Sequence, residues 1–155
     1  LFYLRTVDLG TRSEEGVGEY PAKEGEYYPS HVSAVDSDGN ETGGIRLPEI
    51  AVPVGTHTGW NPRAPETGSP EQMVPMTGST AFFAVTRLQR NQNGDPRPSI
   101  EERYEDRDDY LTRVRAVAEQ LVSDRYALEE DIDLMVSNAS DRYDAAVEVN
   151  SKLDQ

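Results

Sequence analysis

The sequence predicts an α+β chain: short strands, a hairpin and extended loops, followed by an antiparallel helical pair. Three observations carry this reading. All 12 Gly and all 10 Pro lie at or before Pro98, so the residues that interrupt regular helix stop there. Asp38-Gly39 stands between two apolar stretches, a hairpin signal, because Gly tolerates positive φ and Asp caps its own turn. Beyond Ser99, apolar residues recur at three-and-four spacing along two successive segments.

The elements follow in order. Phe2–Val7 has a strand pattern, after which Gly16, Gly18, Pro21 and Gly25 interrupt regular structure. His31–Val35 and Ile45–Val52 flank the turn residues 36–40, and Pro48 and Pro53 limit the second stretch to an edge strand or an extended segment. Residues 61–98 contain Pro62, Pro65, Pro70, Pro75, Pro96 and Pro98, and only Ala81–Thr86 has the apolar density of a strand. So long a stretch with so little regular structure suits an arm lying on a larger body. Ser99-Ile100-Glu101-Glu102 fits a capping box that opens the helical region. After a break near Glu105, Asp106 caps a second helix with a stripe of Leu111, Val114, Val117, Ala118, Leu121 and Val122. A third begins near Glu129 and keeps Ile132, Met135, Val136, Ala139, Tyr143, Ala146 and Val147 on one face. The expected division is thus 1–98 as a strand-and-loop arm and 99–155 as a helical region.

Composition excludes several classes. The chain has 155 residues, enough for one domain, and a formal net charge of -14. Such an excess of acid argues against binding nucleic acid through its phosphates. There is no Cys, hence no disulfide and no thiolate nucleophile or ligand. No apolar run approaches the roughly 20 residues of a membrane span. Hydrophobic content is 35%, so the expected core is thin. From Ser99 onward 16 acidic residues face 7 basic ones, which gives the helical pair an acidic, solvated outer face.

Ser-His-acid hydrolysis needs a serine on a Gly-x-Ser-x-Gly elbow, and this chain has none; Gly68-Ser69 and Gly78-Ser79 are half-matches that read as turns. The histidines are His31 and His57. His57 lies in a polar loop, residues 55–61, and is the one weak catalytic candidate. In the same loop Thr56, Trp60, Asn61 and, just beyond it, Arg63 could line a cleft, with Trp60 as a stacking wall. The alternative is a structural loop with Trp60 plugging a core. No metal and no cofactor are expected. Asp36-x-Asp38-x-Asn40 begins like a calcium loop but has Glu41 where Gly is needed and Leu47 where a bidentate Glu belongs. Asn40-Glu41-Thr42 and Asn138-Ala139-Ser140 match the N-glycosylation pattern.

Several stretches together carry a resemblance. Val35-Asp36-Ser37-Asp38-Gly39-Asn40 leads to residues 44–53, Gly-Ile-Arg-Leu-Pro-Glu-Ile-Ala-Val-Pro, and then to Gly55-Thr56-His57-Thr58-Gly59-Trp60-Asn61. Residues 94–104, Gly-Asp-Pro-Arg-Pro-Ser-Ile-Glu-Glu-Arg-Tyr, follow, and then the arginine-rich helix from Tyr110. In this order they resemble the C-terminal part of a family of large bacterial α/β-hydrolase domain proteins, from about Asp8 to about Tyr143. The resemblance implies a parent with the α/β-hydrolase fold and Ser-His-acid chemistry on an ester or related acyl bond, with the elbow and the catalytic His upstream of Leu1. At His57 the family pattern has an aromatic such as Tyr, so no catalytic residue carries over.

The expected role is therefore a non-catalytic C-terminal segment of a serine hydrolase. Its partner would be the remainder of the hydrolase chain, on whose core residues 1–98 would pack, or a partner subunit. The alternative is an acidic, non-enzymatic interaction subunit recruited through its arm. The resemblance implies a bacterial source and leaves a secreted or periplasmic setting open.

Overall fold

The computed structural model describes residues 4–29, 31–70 and 72–153, and the chain forms two compact units that divide after Ser33. In the first, β1 (Arg5–Asp8) pairs antiparallel with β2 (Lys23–Tyr27), Arg5 opposite Tyr27 and Asp8 opposite Lys23, with a bulge between Arg5 and Val7. Phe2 and Tyr3, which the sequence pattern places in this strand, lie outside the described residues. The hairpin is held by polar contacts: the Arg5 guanidinium lies 4.0 Å from the Tyr27 ring centre and donates to the Tyr27 hydroxyl at 2.7 Å. No described residue of this unit is buried. A two-stranded hairpin without an apolar face is marginal on its own in water.

The second unit, residues 34–155, contains the expected turn. Gly39 at φ +80 closes residues 36–40, its amide donating to the Asp36 carbonyl. The flanking strands shrink to a single bridge, Val35 to Glu41. The edge strand or extended segment expected at 45–52 is instead loop followed by a short helix, α1 (Pro48–Ala51). Proline explains the difference. At the first helical position its missing N–H has no intrahelical acceptor to lose, and its fixed φ already suits a helix.

Residues 55–58, expected as part of a polar loop, form β3 (Gly55–Thr58), antiparallel to β4 (Ser79–Phe82) in the register Gly55–Phe82 to Thr58–Ser79. A Cβ on Gly55 would sit 2.9 Å from the Ala81 carbonyl oxygen, so only Gly permits this close approach. The strand at 81–86 therefore ends early, at Phe82. Beyond it the carbonyls of Ala84 and Val85 accept from Ile100 and Glu101, supplying partners to the first amides of α3 (Ile100–Arg103).

A second helix that the sequence pattern does not predict is α2 (Arg87–Asn93). Thr86 caps it by accepting from the Gln89 amide, Gln89 Oε1 accepts in return from the Thr86 amide, and Gly94 ends it at φ +65.

The helical region follows the pattern closely. Glu102 reaches back to the Ser99 amide and hydroxyl at 2.9 and 2.7 Å. Asp106 accepts from the Asp109 amide and opens α4 (Arg107–Ser123). A 3-10 turn at Glu129–Asp131 leads into α5 (Ile132–Leu153). The two long helices are antiparallel: Arg107 meets Asp144 at 2.7 Å and Arg115 meets Asp133 at 2.9 Å, so advancing along one retreats along the other. Their inner faces are Tyr110, Val114, Ala118 and Leu121 on α4, and Ala139, Ala146 and Asn150 on α5. Val147, expected inside, is 39% exposed.

The core joins the strands to the helices. Val52, Val54 and Phe83 pack with Ile100, Tyr104, Tyr110, Val114, Ala139 and Ala146. Tyr104 and Tyr110 meet edge to face at 5.0 Å. Residues on both sides of Pro98 thus share one apolar cluster. The chain is α+β, with two small antiparallel sheets and five α-helices among the described residues.

Candidate functional site

The motifs that carry the family resemblance fold onto one another. The Asp36 Oδ1 accepts from the Asp38 and Asn40 amides, both at 3.0 Å, and its Oδ2 accepts from Arg46 Nη2 at 2.8 Å. Arg46 Nη2 also donates to the Ile50 carbonyl of α1. Asp38 is gripped by both terminal nitrogens of Arg103 on α3, at 2.8 Å on one side and closely on the other. Arg103 lies 4.2 Å from the centre of the fully buried Phe83 ring, and Arg97 lies 5.0 Å from it. Arg97 in turn pairs with Asp95 at 2.6 Å and donates to Thr56 Oγ1 at 2.6 Å. The Thr56 hydroxyl donates to the Asp38 carbonyl.

Charge and burial oppose each other here. Burial raises the Asp36 pKa, but the amides of Asn40 and Asp38 and the Arg46 guanidinium outweigh it and hold the carboxyl below its ordinary range. Hydrogen bonds from the Arg97 side chain lower Asp95, against a smaller effect of burial. The Asp36 and Asp38 carboxylates thus serve the turn and its arginines, in keeping with the hairpin-turn reading of this motif.

Asn40 completes the knot. It is fully buried, donates from Nδ2 to the Gly55 carbonyl at 3.1 Å, and accepts at Oδ1 from the His57 amide at 2.8 Å. A second buried amide, Asn150, ties α5 to the end of β4 through the Phe83 carbonyl. Nothing in the sequence pattern marks either asparagine as internal.

The predicted site residues separate. Alternation along β3 sends Thr56 into the network and His57 to the opposite face. Trp60 is 54% exposed and does not plug the core. Asn61 meets Val74, and Arg63 meets Gln72, through backbone hydrogen bonds alone, and the Arg63 side chain is exposed. His57 Nδ1 lies 3.0 Å from Thr80 Oγ1, while its Nε2 is shielded and has no hydrogen-bond partner among the described residues. Burial first, then the Arg142 charge, lowers the His57 pKa against an opposing effect of Glu49, which pairs with Arg142 at 3.2 Å. A triad histidine holds a serine hydroxyl on one nitrogen and a carboxylate on the other; among the described residues His57 meets a threonine hydroxyl, Thr80, and no carboxylate hydrogen-bonds to its ring.

Two cavities adjoin this knot. One of about 420 Å³ is bordered by Asp36, Asp38, Arg46, Arg103 and Arg113 above an apolar floor. The other, about 250 Å³, is bordered by Glu41, Ile45, Arg46, Ile50 and His57. Thr56, Trp60, Asn61 and Arg63 line neither.

Part-buried ion pairs thus tie the motifs together, and comparison identifies the class of the chain. The family model described as "Alpha/beta hydrolase domain" matches residues 12–137. The chain belongs to this α/β-hydrolase domain family. No curated protein and no solved structure matches it.

Proposed function

We propose that this chain is the non-catalytic C-terminal portion of a larger α/β-hydrolase that cleaves an ester or related acyl bond by Ser-His-acid chemistry. The observation that carries this reading is the absence of a parallel strand pair among the described residues, whose sheets are both two-stranded and antiparallel. A hydrolase elbow sits on a strand-turn-helix of a parallel sheet, and a family member without one supplies something other than the nucleophile. Support also comes from residues 4–29 and 31–33, none of which is fully buried, and from the exposed apolar side chains of Trp60, Met73, Val74 and Met76. On this reading the segment 1–98 packs on the hydrolase core and the Thr56–Arg63 loop contributes a wall of the cleft.

A second reading, an acidic interaction subunit without enzymatic activity, draws on the core of residues 34–155, which closes around its own helices. A single assay addresses the enzymatic claim. The pure 155-residue chain is expected to release nitrophenol from a nitrophenyl ester no faster than buffer. Turnover that a serine-directed phosphonate abolishes, with covalent labelling of the chain, would refute the non-catalytic assignment.

A further inference from the structure

The larger cavity is lined by more guanidiniums than carboxylates, because Arg113 draws its partner, Asp109, from outside the lining through both Nε and Nη2. Three guanidiniums, those of Arg46, Arg103 and Arg113, face two carboxylates across it, in a chain whose net charge is -14. Both carboxylates are already engaged. Asp36 accepts from two backbone amides and Arg46, and Asp38 accepts from the fork of Arg103.

The donors are not used up. Arg46 makes both of its hydrogen bonds through Nη2, which leaves Nη1 without one among the described residues; its Nε is unpartnered too but shielded from solvent. Arg113 is half exposed, pairs with Asp109 at 2.8 Å one turn earlier on α4, and lies 5.5 Å from the centre of the Tyr104 ring. A guanidinium carries more N–H donors than these contacts occupy. Walls with filled acceptors and spare charged donors suit a ligand that is itself an anionic acceptor. The apolar floor, from Ile50 and Pro53, adds room for hydrocarbon beside the charge, and a cavity of about 420 Å³ is of the size small ligands occupy.

We propose that this cavity binds a small organic carboxylate, its oxygens on Arg46 and Arg113 and its hydrocarbon on Ile50 and Pro53. The site lies wholly within residues 34–155 and does not depend on the hydrolase reading. Asp109 is the competing acceptor for Arg113, and a bound carboxylate shares that guanidinium with it.

The test is a titration of the 155-residue chain with benzoate, followed through backbone amide shifts. Saturable shifts are expected at residues 46, 47, 49–52, 103, 104 and 113. Benzamide, the neutral isostere, should leave them unmoved, and inorganic phosphate should bind more weakly than benzoate. Loss of one charge-assisted contact in Arg113→Gln should weaken benzoate about tenfold or more. Arg46→Gln should do the same; each variant releases a carboxylate, Asp36 or Asp109, and Arg113→Gln is the deciding one because the Arg113 side chain is the more exposed, 52% against 37%. No saturable shift, equal shifts with benzamide, phosphate binding as tightly as benzoate, or unchanged affinity in Arg113→Gln would each overturn the proposal.

Discussion

The Asp38–Arg103 pair offers the sharpest check on how residues 34–155 hold together. The two side chains are 13% and 16% exposed. Replacing Asp38 by Asn keeps the shape but removes the charge that offsets a guanidinium lying on a buried ring. Breaking a fully buried pair by changing one partner costs about 3–5 kcal/mol. Here the residual exposure, the Pro98 carbonyl that accepts from Arg103 Nε at 2.9 Å and the Phe83 ring all soften the loss. An unfolding free energy lower by about 2 kcal/mol is expected for Asp38→Asn, and a similar loss for Arg103→Gln. The double variant should recover about 1 kcal/mol of the summed cost, because it leaves no unpaired charge. Urea unfolding followed by far-UV ellipticity reads this directly, since α4 and α5 dominate the signal and both lie in this unit. A coupling below about 0.5 kcal/mol would mean the pair behaves as an exposed surface contact and that the knot does not hold the turn to α3.

Two further outcomes follow from the same geometry. Phe83→Ala removes a fully buried ring at the junction of β4, α3 and α5, so a loss of about 3–5 kcal/mol is expected in the same unfolding experiment, and a loss under about 1 kcal/mol would show that the ring is not central. Because burial and Arg142 depress the His57 pKa, the folded chain refuses a proton that the unfolded chain accepts below about pH 6.5, and stability falls as pH drops through that value; His57→Gln should lack this part of the pH dependence, and parallel stability curves for the two proteins between about pH 7.5 and 5 would contradict it.

What was legible in the sequence was whatever a short, local rule controls. Ser99 with Glu102, Asp106 with Asp109 and the helical stripes declare themselves within one or two turns, and the structure has those helices at those caps. The Asp-Gly turn is equally local. Thr86-x-x-Gln89 followed by Gly94 obeys the same rule and marks α2, although the prolines on either side of it give the stretch the composition of an extended arm. The fate of α1 turns on the position of one proline within it, and that of β3 on a distant partner. Pro48 reads as a strand limiter until α1 is seen to begin on it, and residues 55–58 become a strand only because β4 arrives beside them. The candidate site shows the same division. The motifs were visible as motifs, but that Asp38 meets Arg103 across 65 residues, or that Thr56 turns from His57 and joins Arg97, depends on strand alternation and tertiary contact. Asn40 and Asn150 had no signal, because a polar amide becomes an internal clamp only when the backbone groups it serves are brought to it.

The burial of Asn40 bears on how the protein can be produced. Its side-chain nitrogen, the atom a glycosyltransferase would modify in Asn40-Glu41-Thr42, is the one that donates to Gly55. Oligosaccharide is added in a eukaryotic secretory pathway while the chain is still extended, and a sugar on this nitrogen would replace one of its two N–H donors and put bulk where the fully buried side chain has no space. Expression through such a pathway would therefore trap the chain before β3 closes on its turn. A host without that modification, or Thr42→Ala, which spends only an exposed hydroxyl bonded to the Ala34 carbonyl, keeps the route to the native state open.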